Sequence, residues 1–356
     1  MAEIDVLSGI GSKGPGCIRL TTDRHIWLLD CGHGPESSSP FEERWLEGAD
    51  AVFITHDHVD HIGGAAHAIR AGLPIYATAI TARALPPGAD VRLLPSQGVT
   101  EIDGIKLRTG RNGHALGGIW FHFDLGGGLF YSGDWSEESQ WFAFDPPPPA
   151  DIALIDASYH LNDIQQQQRK QELDAQIANL PGSLLFPVPP SGRAGELALH
   201  LMQFGEVSLD DTCREAITVA LDAGAAAGIG PAAAAIRPLL SKPFNPDARF
   251  LICDNPNADG GMAWTIVQRW RDSGRLGRDG YVVFTGHMTA HARSIGDHAG
   301  GRFARWNVHP PLRDQIGMVT RLGASRYVPL FCTLPEDYLI EDGFKAEVLL
   351  HGRATL

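Results

Sequence analysis

The sequence predicts an α/β fold, on three observations. Short apolar runs ending in polar loops recur through the first 160 residues. From about residue 183, strand and helix patterns alternate, the grammar of a parallel sheet wrapped by helices. Glycine is abundant, 41 of 356 residues, which suits many tight turns better than a helical bundle. The length exceeds what one hydrophobic core usually organises, so one large or two medium domains are expected. An apolar fraction of 44% and a charged fraction of 20% exclude wholesale disorder and a membrane-embedded body.

In chain order, residues 25–30 and 51–55 read as buried strands, and 65–70 as a helix. Residues 121–124 and 129–132 flank Gly126-Gly127-Gly128 as a hairpin, followed by a strand over 152–156. The four prolines Pro146 to Pro149 make a short stiff connector. A polar helix over 165–180 closes at Pro181-Gly182. A strand over 184–187 leads through Ser191-Gly192-Arg193 to a helix over 196–204. Alanine-rich helices are expected over 216–227 and 232–240. Strands over 250–253 and 281–285 enclose a helix over 263–272. A helix over 312–322 and a strand over 327–331 come last.

Charge divides unevenly. The formal net charge is −13, which argues against non-specific nucleic-acid binding over the whole surface. Residues 1–165 carry ten basic and 22 acidic side chains, whereas residues 260–330 carry ten arginines against four acids. The latter stretch is a solvated arginine-rich surface or a face for an anionic ligand. Cys17, Cys31, Cys213, Cys253 and Cys332 are scattered, as in a reducing, cytoplasmic compartment rather than a disulfide framework. The first residues lack the basic start and apolar core of a signal peptide, and no run reaches a membrane span, so no membrane partner is expected.

The sharpest feature is Thr55-His56-Asp57-His58-Val59-Asp60-His61-Ile62-Gly63-Gly64, three histidines and two aspartates in six positions after a buried strand. Imidazole nitrogen and carboxylate oxygen are donors that Zn²⁺ accepts, and a loop leaving a strand end lets alternate residues converge. This segment resembles the metallo-β-lactamase superfamily signature His-x-His-x-Asp-His. Asp30 in Leu29-Asp30-Cys31-Gly32, His114 in Gly113-His114-Ala115 and Asp134 in Ser132-Gly133-Asp134 follow in that superfamily's order. The resemblance implies an αββα sandwich holding two Zn²⁺, with Mn²⁺ as the alternative. His56, His58 and His114 would hold one metal, and Asp60 and His61 the second. Asp134 would be shared between them, and Asp30 would support the ligands from behind.

Later segments resemble the β-CASP nuclease branch, which includes ribonuclease J, the pre-mRNA 3′-end endonuclease and Artemis. Asp156 in Ile155-Asp156-Ala157 matches its strand-ending acid, and His309 in Trp306-Asn307-Val308-His309 its histidine after an inserted domain. The implied organisation is a hydrolase domain over 1–163 and 306–356, with an α/β β-CASP-like domain inserted over 164–305. Arg193 in the Gly-Arg-x-x-Glu segment and Thr289 after Thr285-Gly286-His287-Met288 are candidate phosphate contacts; tying the domain together is the alternative for Arg193 and Glu196. Where branch ribonucleases carry a histidine ending the last strand, the alignment places Cys332, either a thiolate ligand or a buried apolar cysteine.

The implied function is hydrolysis of a nucleic-acid phosphodiester by metal-bound hydroxide, with Asp60, Asp156 and His309 catalytic. The substrate would be single-stranded RNA or DNA, cut in exo- or endonuclease mode. The arginine-rich stretch would hold the strand, and Trp264, Trp270 and Trp306 are aromatics for stacking or for the core. Two other readings stay open: hydrolysis of a small ester, lactone or thioester, and a catalytically weakened binding subunit of a nucleic-acid-processing complex. A homo-oligomer is compatible with each.

Overall fold

The computed structural model describes residues 2–34 and 40–356 and divides the chain into two units. The first comprises residues Met1–Glu137, Ala143–Asp163 and His309–Leu356; the second comprises Glu138–Phe142 and Ile164–Val308.

Among the described residues the first unit holds two seven-stranded sheets. One runs Arg353–Thr355, Glu3–Ser8, Cys17–Thr21, Ile26–Leu29, Ala51–Phe53, Ile75–Ala77, Val91–Leu93 in spatial order. The other runs Glu347–Val348, Arg326–Leu330, Ile152–Asp156, Leu129–Tyr131, Ile119–Phe123, Ile105–Arg111, Gly98–Ile102. Side chains alternate across a strand, so each sheet has an inner and an outer face. Leu20, Trp27, Leu29 and Phe53 of the first sheet meet Phe121, Phe123, Tyr131, Leu154 and Leu330 of the second in one buried cluster. The outer face of the first sheet, Leu28, Val52 and Ile54, packs under Ala65 and Ala68 of the helix Ala65–Arg70. Ala153, Ile155 and Tyr327 of the second sheet pack under Met318, Val319 and Leu322 of the helix Leu312–Leu322. Helix, sheet, sheet, helix is the αββα order expected.

The strands that carry the polar motifs end together. Ile26–Leu29 lies parallel to Ala51–Phe53, Leu129–Tyr131 parallel to Ile152–Asp156, and Asp156 pairs with Leu330 of the last long strand. Asp30, Thr55, Ser132, Ala157 and Phe331 therefore all begin loops at carboxyl ends of strands.

The second unit is a five-stranded, wholly parallel sheet ordered Val207–Leu209, Phe250–Cys253, Ser183–Pro187, Gly280–Phe284, Gly301–Phe303. Helices Gly261–Asp272 and Ala290–Gly296 share one buried cluster with Leu185, Leu251, Val282 and Phe284, so both cover the same face. Two expected alanine-rich helices come out differently. The first begins earlier, at Asp211–Ala223, because Asp210 caps it by accepting from the Cys213 N–H at 2.8 Å. The second is a 3₁₀ segment, Pro231–Ile236, and a single turn, Arg237–Leu240. Pro238, inside the expected helix, lacks the N–H and crowds the carbonyl four residues before it, and this outweighs alanine's propensity.

Candidate metal centre

Every polar residue of the His-rich motif is placed by backbone contacts of the first unit. The single helical turn Val59–Ile62 is pinned where Gly16 N–H donates to Asp60 O at 2.8 Å and Cys31 N–H to His61 O at 2.9 Å. Gly32 lies so close that a Cβ on it would sit 1.7 Å from Asp60 O, so no other residue fits there. Gly133, at φ 54°, turns the chain toward Asp134, and a Cβ there would meet the Thr55 side chain at 2.8 Å. Asn112 Oδ1 accepts from the backbone of His114 at 3.0 Å and sets that loop.

Asp30 organises the imidazoles from behind. Its carboxylate accepts from Thr55 N–H at 2.8 Å, Thr55 O–H at 2.8 Å, Tyr131 O–H at 2.6 Å and His61 Nδ1 at 2.7 Å. Since the Thr55 hydroxyl donates to Asp30, it accepts from His56 Nδ1, 3.0 Å away. Both imidazoles thus turn Nε2 toward Asp134, with His61 Nε2 3.2 Å from Asp134 Oδ1. His56 Nε2 is buried without any hydrogen-bond partner, and a buried orphan of this kind is costly unless a ligand completes it. His56, His58, His114 and Asp134 bring donor atoms within 4.8 Å of one another; so do Asp60, His61 and Asp134. The donor chemistry and the orphaned nitrogen fit divalent cations, with Asp134 common to both groups.

The electrostatics put His56 and Asp134 in the form a cation binds, whereas His61 carries a proton that a cation would displace. Burial, reinforced by neighbouring His61 and His58, holds His56 well below its ordinary range and so neutral, as a ligand must be. Burial opposes ionisation of Asp134, but His61, His309 and His114 outweigh it and keep the carboxyl well below its usual range. Burial also works against a charged His61, which Asp134 and Asp30 overcome, lifting it well above its ordinary value.

A third group adjoins these two. His309 Nδ1 lies 2.8 Å from Asp156 Oδ2, and Asp156 Oδ1 accepts from Ser158 N–H at 2.8 Å. The His309 ring stands 4.9 Å from that of His114 and 5.2 Å, edge-on, from Tyr159. Asp156 and His309 also come within 4.8 Å of Asp134 through their donor atoms.

Cys332 stands apart from all three donor groups. It is buried in an apolar cluster with Trp120, Phe130 and Tyr338, and burial pushes its thiol up, away from the thiolate a metal takes. Arg193 lies against Gly286, where a Cβ would meet its Nη1 at 2.3 Å, and the Thr289 hydroxyl caps the helix Ala290–Gly296. Glu196 is structural within the second unit: it accepts from Ser139 and from Trp306 Nε1, and burial raises its carboxyl. Sequence reasoning missed Thr55, Tyr131 and Phe331 as members of the centre. Thr55 at least precedes His56; no local pattern marks the other two.

Histidine and aspartate loops gathered at one edge of an αββα sandwich define a metallo-β-lactamase-type protein. Residues 25–165 match the family described as "Beta-lactamase superfamily domain", and the relatives below support the resemblance to the metallo-β-lactamase superfamily and its β-CASP branch. It is 30% identical over 262 residues to "Transcription termination factor FttA" of Cenarchaeum symbiosum, covering 58% of this chain and 40% of that one. It is 24% identical over 248 residues to "Endoribonuclease YSH1" of Yarrowia lipolytica, covering 57% and 30%. Against "Cleavage and polyadenylation specificity factor 73" of Drosophila melanogaster the identity is 26% over 246 residues, covering 57% and 36%. The chain thus spans 30–40% of the length of these curated relatives. A crystal structure of a protein of unknown function from Enterococcus faecalis V583 shares the fold over all of both chains, with TM-score 0.63 and 14% identity.

Proposed function

We propose that this protein is a metal-dependent phosphodiesterase acting on nucleic acid. The observation that carries the reading is the convergence of imidazole nitrogens, the orphaned His56 Nε2 among them, and Asp134 beside the His309–Asp156 pair. Two divalent cations, both zinc or alternatively manganese, would when bound supply water activation at neutral pH and charge neutralisation. The rest falls to the chain. Asp30 and Thr55 hold the His56 and His61 tautomers, and Asp60 and Asp134 provide the carboxylates. Asp156 accepts Nδ1–H and leaves His309 Nε2 to face the phosphate, where it stabilises charge or protonates the leaving oxygen.

Three of the proteins to which the chain is similar carry names of RNA endonucleases or transcription and cleavage factors, which supports RNA as the polymer. The inserted unit would hold the strand. Trp270 and Trp306 are only 1% and 2% exposed and belong to the core, whereas Trp264 is 44% exposed. It shares a helix with Arg269 and Arg271, so a base can stack beside cations for the backbone. Arg193 and Thr289 are proposed phosphate contacts at strand ends of the same sheet, where ligands bind in parallel α/β folds. Five buried, unbridged cysteines suit a cytoplasmic setting; no helix among the described residues is long and apolar enough to cross a membrane.

Matched end-labelled single-stranded RNA and DNA, incubated with the zinc- or manganese-loaded protein and run on one gel, test the reading. Metal-dependent cleavage of RNA is expected. Intact oligonucleotides alongside turnover of a lactone or thioester would replace it with the small-ester reading.

A further inference from the structure

The two donor groups are unequal, and Phe331 packs beside the smaller one. Among the described residues the first group offers three imidazoles and a carboxylate, the second only Asp60, His61 and the shared Asp134. Phe331 follows the strand Arg326–Leu330, whose last residue pairs with Asp156, so it begins its loop level with the centre. Its ring stands 5.1 Å from the His61 ring at 73°. That matches the spacing of the metal-facing imidazoles among themselves: 4.6 Å for His56–His58, 4.9 Å for His58–His114 and 5.2 Å for His56–His114.

The seat is built for this ring. Phe331 is 3% exposed and lies at φ 59°, a left-handed conformation that a bulky residue keeps only where its surroundings impose it. Its N–H donates to Gly9 O at 2.5 Å. A Cβ on Gly9 would come within 3.1 Å of the ring, and one on Gly16 within 3.4 Å of both the ring and His61 Nδ1. The neighbouring Cys332 points into the outer apolar cluster and does not replace the missing donor.

We propose that Phe331 occupies the place of a fourth protein ligand at the Asp60–His61–Asp134 position. The protein then takes up divalent metal in sequence, tightly at His56–His58–His114–Asp134 and more weakly at the second position. The inference rests on these groups being the metal centre of the proposed function. A carbon ring orients His61 but donates nothing, and removing even an outer support of a metal ligand typically weakens binding about 10–100-fold.

The test is equilibrium dialysis of the metal-stripped full chain against buffered free Zn²⁺, with bound zinc counted by elemental analysis. The first equivalent should bind at free zinc at least about tenfold lower than the second. Asp60→Asn should abolish the second step and spare the first. Phe331→His, checked for folding by circular dichroism, should draw the two steps together by about tenfold or more. If Phe331→His does not fold, the wild-type and Asp60→Asn titrations decide. Two equivalents binding together in the wild type, or a folded Phe331→His with unchanged steps, overturns the inference and leaves the nuclease reading standing. No zinc bound at any concentration overturns both.

Discussion

Replacing Asp156 by asparagine probes the His309 pair without altering its shape. Both carboxylate oxygens face donors: Oδ2 meets His309 Nδ1 and Oδ1 meets Ser158 N–H, each at 2.8 Å. Asparagine has one acceptor and one NH₂, so one of the two partners must confront a donor. The Ser158 amide cannot yield its proton, but an imidazole can change tautomer. The NH₂ therefore settles against His309, whose Nδ1 becomes the acceptor and whose Nε2 acquires the proton. With an NH₂ facing Nδ1, His309 cannot hold the doubly protonated form that stabilises charge and gives up a proton from Nε2, and loss of such an acid–base role is worth about 10²–10⁴ in rate, or roughly 3–5 kcal/mol of barrier. The assay is the single-turnover rate on an end-labelled RNA at saturating zinc, with bound zinc measured on the same sample. We expect the rate to fall within that range and zinc content to stay unchanged. A variant within about threefold of wild type would refute the tautomer argument, and loss of zinc would make Asp156 a ligand instead.

Two other outcomes follow from the packing. Trp264→Ala should weaken binding of a labelled single-stranded RNA by about tenfold, from about 1–3 kcal/mol per stacked base, and leave the cleavage rate at saturation unchanged; fluorescence anisotropy reads the first and the gel the second. Asp145 accepts from the Arg111 guanidinium at 2.7 and 2.5 Å and from its N–H at 2.9 Å; burial opposes ionisation, but these bonds win and lower its carboxyl. A lowered carboxyl contributes stability above its unfolded value, near 3.9, and loses that contribution as pH falls through the folded value. Asp145→Asn should therefore cost about 2 kcal/mol in urea unfolding at pH 7, and the gap to wild type should narrow as pH falls below the free carboxyl's value near 3.9; a gap that does not narrow in acid contradicts this.

The centre was largely legible in the sequence because its chemistry is concentrated in residue types that seldom cluster by accident. Asp30, His56, His58, Asp60, His61, His114 and Asp134 form their donor groups through loops that start at recognisable strands. Less local features were hidden. Tyr131 reaches Asp30 across 101 residues, and Phe331 meets His61 across the sandwich, so neither has a signature in its own segment. The three-residue strands Ile75–Ala77 and Val91–Leu93 are too short for a period-two pattern to declare itself. The stretch 232–240 misled in the other direction, since alanine content suggested a helix that Pro238 interrupts.

Anomalous diffraction at the zinc edge from crystals of the zinc-loaded protein tests the central claim most directly. The account predicts a strong peak about 2.0–2.1 Å from nitrogens of His56, His58 and His114, with a second, weaker peak beside Asp60 and His61. A map without a peak among these side chains, or with zinc bound only elsewhere, contradicts it.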